Sequence, residues 1–160
     1  MGQEEMGMAG EVHYRKPGMF TRRVLNPFIV LALRAGISIW GSRILEVRGR
    51  TSGTPRRTPV NLLEVDGRQY LVAPRGEGQW VRNVRADHGR LALILGRHRD
   101  ERVAHEVPDG EKPPVLRAYL RRWKMEVGVF FDGVGADSDE ADVQRIAADH
   151  PVFLLSPATS

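Results

Sequence analysis

The dipeptide Asp66-Gly67 stands between two strand-like runs, Thr58 to Val65 (TPVNLLEV) and Arg68 to Ala73 (RQYLVA), and no other feature of the chain constrains its fold more. A two-residue connection makes the flanking strands antiparallel, and Asp-Gly suits it because both central residues must take positive φ. Four more short patterns extend the sheet. Ile44 to Arg48 (ILEVR) precedes the hairpin. Leu91 to Leu95 (LALIL) and Glu101 to Val107 (ERVAHEV) follow it, joined around Gly96, and Pro151 to Leu155 (PVFLL) comes last. The expectation is six short, mostly antiparallel strands.

Helical patterns separate them. Gln79 to Asp87 predicts a brief helix, and Pro113-Pro114 opens a second in which Leu116, Tyr119, Leu120 and Trp123 recur on one face. A third, acidic helix has Asp137 as its expected N-cap, Glu140 three residues on, and Val143, Ile146 and Ala147 facing inward. Strands without βαβ alternation indicate a mainly β (α+β) fold, a small barrel with flanking helices. The 160 residues suit one domain and show neither repeat nor linker. The expected organisation is a mobile tail over 1–18, a helical segment over 19–42 and a barrel over 43–156.

The tail is polar and glycine-rich, without the apolar core of a secretory signal. Phe28 to Trp40 (FIVLALRAGISIW) is the most apolar stretch, yet it is too short to span a bilayer and contains Arg34. A helix packed on the domain is the first reading, and peripheral contact with a membrane the second. Cysteine is absent, which excludes disulfides, thiolate metal sites and a cysteine nucleophile and fits a cytoplasmic protein. The histidines His13, His88, His98, His105 and His150 lack paired spacing for a metal. Neither a phosphate-binding glycine motif of the P-loop or Rossmann type nor a nucleophile elbow occurs. With no catalytic side chain in view, any chemistry belongs to a bound cofactor.

The charge is uneven. The net +4 conceals five arginines and one glutamate between Arg43 and Arg57, against five acids and Arg145 between Asp137 and Asp149. The loop RGRTSGTPRRTP, Arg48 to Pro59, concentrates arginine among glycine, serine, threonine and proline, where packing has no use for it. Turns at Gly49 and Gly53 would leave amides facing an anion, with Thr51 and Ser52 adding hydroxyls and Arg50 and Arg56 forked donors. Ala73-Pro74-Arg75-Gly76 forms a second candidate wall, and Trp80 a flat apolar face beside it. A non-catalytic basic module for nucleic acid or an anionic membrane is the alternative reading of this face; nucleic acid fits it poorly, because few aromatics interleave with the arginines as stacking platforms.

These residues carry a resemblance. GRTSGTPRRTPV (Gly49 to Val60), followed after the hairpin by APRGEGQWVRNV (Ala73 to Val84) and then LALIL, is similar to the family of deazaflavin-dependent nitroreductases and quinone reductases. The resemblance runs from about Ile44 to Phe153 and implies a six-stranded antiparallel split β-barrel related to the flavin-reductase and pyridoxamine-oxidase group. It implies an oxidoreductase that passes hydride from the reduced 8-hydroxy-5-deazaflavin coenzyme (coenzyme F-420) to a small-molecule acceptor, a quinone, nitro compound or other electron-poor organic. FMN is the alternative cofactor.

Carried residue by residue, the resemblance sets Arg50, Thr51, Ser52, Gly53 and Arg56 at the acidic tail of the coenzyme. Thr58, Pro59 and Val60 would run beside its ring. Ala73, Pro74, Arg75 and Gly76, with Trp80, Val81 and Asn83, would form the opposite wall. Thr51 and Arg75 stand where the family often has lysine, so the first position loses a charge and the second keeps it. The family's tyrosines over the substrate have no counterpart, and Trp123, Phe130 and Phe131 are the aromatics available there. A monomer or a homodimer is expected, with no nucleic-acid partner.

Overall fold

The computed structural model describes residues 41–158 and, within them, all side chains but those of 124–127 and 129. The expected tail and the apolar segment Phe28 to Trp40 lie outside the described residues. Ser42, which closed the expected helical segment, opens the first strand.

Seven antiparallel strands form one sheet: β1 (Ser42–Arg48), β2 (Pro55–Asn61), β3 (Leu63–Val65), β4 (Arg68–Val72), β5 (Arg90–Leu95), β6 (His98–Glu106) and β7 (Val152–Pro157), in the order β2-β1-β5-β6-β7-β4-β3. The expected six become seven at a single residue. The run Thr58 to Val65 does not stay straight. Up to Asn61 it pairs with β1, Asn61 opposite Ser42, and from Leu63 it pairs with β4, Leu63 opposite Tyr70. Leu62 turns the corner, its N–H held by Gly41 O at 2.8 Å. The sheet's two outermost strands are therefore consecutive in the chain. The sheet curls into a half-barrel whose two edge strands are joined by the covalent backbone at Leu62.

The hairpin forms as expected, with Asp66 (φ 52°) and Gly67 (φ 78°) in the left-handed region that the tight turn requires. Side-chain alternation then builds two cores. Leu45, Val47, Leu71, Leu91, Leu93, Phe153 and Leu155 point inside the curl and meet Val81 and Val84 of helix α1 (Gln79–Ala86). Val72 and Val152, neighbours of Leu71 and Phe153 in sequence, face the other way. There they join Leu116, Tyr119, Leu120 and Trp123 of α2 (Pro113–Val127), Phe131 of a following 3-10 turn, and Val143, Ile146 and Ala147 of α3 (Glu140–Ala147). The apolar faces expected of both helices are buried.

The N-cap of α3 is Asp139, not Asp137: its carboxylate accepts the Asp142 N–H at 3.0 Å. At the other end of α3, Lys112, 3% exposed, donates to Ala147 O at 2.7 Å and pairs with Asp109 at 2.7 Å. A cation at the carbonyl end of a helix answers both the free acceptor and the dipole. Among the described residues, no helix is long and apolar enough to cross a membrane.

Candidate anion-binding site

The arginine loop leaves the sheet at Arg48 and returns at Pro55. Its shape is held from within. Gly49 N–H donates to Thr54 O (2.9 Å), Gly53 N–H to Gly49 O (2.9 Å), and Thr54 N–H to Ser52 Oγ (3.1 Å). Gly53 takes φ 75°, which favours glycine, while Gly49 is needed for space, since a Cβ there would stand 2.9 Å from Ser52 Oγ and 3.1 Å from Thr54 O. The amides of Gly49 and Gly53 are thus spent inside the loop rather than facing an anion, which corrects the first reading of those two glycines. Because Ser52 Oγ accepts from Thr54, its own O–H remains available to donate.

Helix α1 holds the loop from the other side. Asn83, 4% exposed, presents its carboxamide oxygen to Arg50 twice, accepting the backbone N–H at 3.1 Å and Nη1 at 2.8 Å. Gln79, one turn earlier, accepts from the same Nη1 at 3.0 Å. With Arg50 donating at both contacts, the carboxamide orientations follow from chemistry. Beside this latch lies an open polar cleft of about 430 Å³ lined by Arg48, Gly49, Arg50, Thr51, Ser52, Gly53, Ala86 and Asp87. Gln79 and Asp87 entered the sequence reading only as the ends of an expected helix, not as site residues. Gln79 had a signal: it stands four residues before Asn83 on the expected helix, the spacing that puts both on one face.

The remaining expected residues lie on β2, on the turn after β4 and on α1. Arg56 is exposed on β2 opposite Val47, and Thr58, Pro59 and Val60 follow, half-buried, opposite Leu45, Ile44 and Arg43. Ala73 is 1% exposed and anchored by its N–H to Pro151 O at 2.9 Å. Gly76, at φ 90°, donates back to Ala73 O, closing the turn that contains Pro74 and Arg75. The Arg75 guanidinium lies 5.5 Å from the Phe130 ring centroid. Trp80 is half-buried against Phe153, ring centroids 5.8 Å apart, and Val81 is fully buried, so Val81 seats α1 rather than lining a surface.

The three aromatics expected over the substrate part company. Trp123 (1% exposed) and Phe131 (0%) belong to the outer helical core, and only Phe130 reaches partial exposure. Phe131 stacks on His150 at 4.2 Å and packs 6.2 Å from Tyr119. His150, fully buried, places Nδ1 3.3 Å from Ala73 O and so links the helical core to the base of the 73–76 turn.

Elsewhere the charges are engaged with one another. Glu46 on β1 accepts from Arg99 Nη2 at 2.7 Å and Arg57 Nε at 2.9 Å. The Arg99 hydrogen bond holds its carboxyl below the usual range against the opposing effect of burial, and Arg57 adds to the lowering. Arg85 on α1 reaches Glu106 of β6 and, at 3.0 Å, Glu77 of the loop before the helix. The Glu106 bond chiefly raises its pKa, opposed by burial and aided by Glu77. No group of three or more metal-ligating side chains occurs among the described residues.

Residues 31–131 match the model of a protein family described as F-420H(2)-dependent quinone reductase. No curated protein matches the chain. Among solved structures, one of an F-420-H2-dependent reductase is 19% identical, covers 72% of this chain and 94% of its own, and superposes with a TM-score of 0.50. A protein solved as a domain-swapped dimer is 17% identical over 86% of this chain and 97% of its own, TM-score 0.53. A conserved hypothetical protein from Mycobacterium tuberculosis is 20% identical over 81% and 79%, TM-score 0.51. At such identities the structural matches speak for the fold.

Proposed function

Because the chain belongs to the F-420H(2)-dependent quinone reductase family, an oxidoreductase family of the deazaflavin coenzyme, we propose that it carries hydride from that reduced coenzyme to a quinone, nitro compound or other electron-poor conjugated acceptor. FMN, the alternative cofactor, finds no support in the family. The observation that carries the reading is the preformed loop: Arg50 is latched by α1 beside a polar cleft at the loop its own glycines shape.

The residues present fit an acidic, phosphate-bearing tail. Arg50 supplies a fixed cation, the Ser52 hydroxyl an available donor, and Arg56 a second guanidinium on the neighbouring strand. Arg75 would add a third cation from the opposite turn. Thr58, Pro59 and Val60 on one side and the half-buried Trp80 on the other offer surfaces for a flat ring, and Phe130 is the aromatic left accessible to an acceptor. When bound, the coenzyme supplies the hydride from its reduced ring. The protein contributes orientation, exclusion of water and a positive field near the tail. We place the protein in the cytoplasm, as a monomer or, like the domain-swapped neighbour, a dimer, with any membrane contact made through Phe28 to Trp40.

The test is a titration of the purified protein into oxidised deazaflavin coenzyme, read by the coenzyme's fluorescence, with FMN in parallel. Saturable micromolar binding of the deazaflavin alone is expected. Binding of FMN in preference, or of neither, overturns the cofactor assignment. Steady-state assays of the loaded enzyme with a menaquinone analogue and a nitroaromatic then rank the acceptors.

A further inference from the structure

Several arginines of the described residues are neutralised by a carboxylate. Arg57, Arg85, Arg99 and Arg102 each hold a carboxylate within 3.0 Å. Arg50 is different: among the described residues its side chain is held by two carboxamides and by no carboxylate. Gln79 Oε1 and Asn83 Oδ1 converge on the same Nη1 at 3.0 and 2.8 Å, and Asn83 also takes the Arg50 backbone N–H. A carboxylate at either position would make the stronger bond and the more rigid loop. It would also cancel the charge.

We propose that Gln79 and Asn83 are positioning residues whose neutral carboxamides fix the Arg50 guanidinium beside the cleft while leaving its full positive charge for a bound phosphate or carboxylate. Neutrality at these two positions, rather than hydrogen bonding alone, then sets the anion affinity of the loop. The one carboxylate lining the cleft, Asp87, is paired with Arg90 at 3.3 Å. The inference rests on the anionic coenzyme tail binding at this loop, and its test separates the two ideas.

Gln79→Glu keeps the acceptor and adds a charge; Gln79→Ala removes the acceptor and adds none. Asn83→Asp repeats the first change at the buried position. Binding of the deazaflavin coenzyme is measured by fluorescence at low and at 0.5 M salt, binding of inorganic pyrophosphate by thermal shift, and folding by melting temperature. Gln79→Glu and Asn83→Asp should melt no lower than wild type yet lose about tenfold or more in affinity for both ligands, the value of one charge-assisted contact. High salt should narrow the gap. Gln79→Ala should lose less than about threefold.

A latch that acts only by hydrogen bonding predicts the reverse order, with Gln79→Glu binding as well as wild type and Gln79→Ala worse; that result overturns the proposal. So does a fall in melting temperature of the acidic variants that tracks their loss of affinity. If wild type binds pyrophosphate with the expected variant order but not the coenzyme, the neutral cradle stands and the coenzyme reading falls. Binding of neither ligand by wild type ends both.

Discussion

Gly49→Ala perturbs the arginine loop with little leverage on the rest of the fold. Gly49 is buried where β1 ends, and its φ lies outside the left-handed region, so alanine meets no backbone penalty there. The cost is steric. The new methyl would stand 2.9 Å from Ser52 Oγ, 3.1 Å from Thr54 O and 3.5 Å from Arg56 Cγ, and the first two atoms are those that close the loop. Ser52 can rotate away only by giving up the Thr54 N–H, and Thr54 O can retreat only by lengthening its bond from Gly49 N–H. Loss of one or two such bonds costs about 1–2 kcal/mol. None of the loop residues belongs to either core cluster, so the melting temperature should fall by no more than about 3–8 °C. The same energy, charged against a binding-competent loop, lowers coenzyme affinity by about 5- to 30-fold. Differential scanning fluorimetry and the fluorescence titration on one preparation check both numbers. Wild-type affinity in a folded Gly49→Ala variant would show that the loop does not bind in the shape described, and would refute the reasoning.

Three further outcomes are expected. Gly89→Ala should cost about 2–4 kcal/mol of stability by thermal or urea unfolding, because a Cβ would lie 2.3 Å from Ala104 O and the backbone sits at φ 85°; a loss under about 1 kcal/mol would contradict the close approach of the turn between α1 and β5 to β6. Phe131→Ala should lose about 3–5 kcal/mol of stability and leave the coenzyme dissociation constant of the folded fraction unchanged, since the ring is fully buried against Tyr119 and His150. An unchanged melting temperature with an acceptor-specific rise in KM would return Phe131 to the substrate. Glu46, whose carboxyl is held below its ordinary 4.5, contributes stability that is present above that value and lost as pH falls through the lowered one. With Arg57 and Arg99 half-exposed, Glu46→Gln should cost only about 0.5–1 kcal/mol at pH 7. The difference from wild type in melting temperature should shrink as the pH is taken below 4.5, and a difference that grows on acidification would reverse the assigned sign.

Much of this protein was determined locally. Asp66-Gly67 admits one tight turn, the stripes Leu116-Tyr119-Leu120-Trp123 and Val143-Ile146-Ala147 each have one apolar face to bury, and the strand runs follow from alternation over a few residues. The motif GRTSGTPRRTPV with APRGEGQWVRNV carried the family as well, and its loop glycines are set by neighbours a few residues away. Two misses were local, the N-cap at Asp139 and the inward amides of Gly49 and Gly53; the others depended on contacts distant in sequence. The corner at Leu62 exists because one run changes partner from β1 to β4, and nothing within TPVNLLEV records where its partners end. Trp123 and Phe131 are aromatic near the C-terminus whether they line a substrate site or fill a core; only the packing of α2 and α3 on the far face of the sheet chose the core. Asn83 was legible as a site residue, but its task was not. That it holds Arg50, with Gln79 beside it, follows from α1 lying across a loop some thirty residues earlier in the chain, where burial and hydrogen-bond direction select one partner among many.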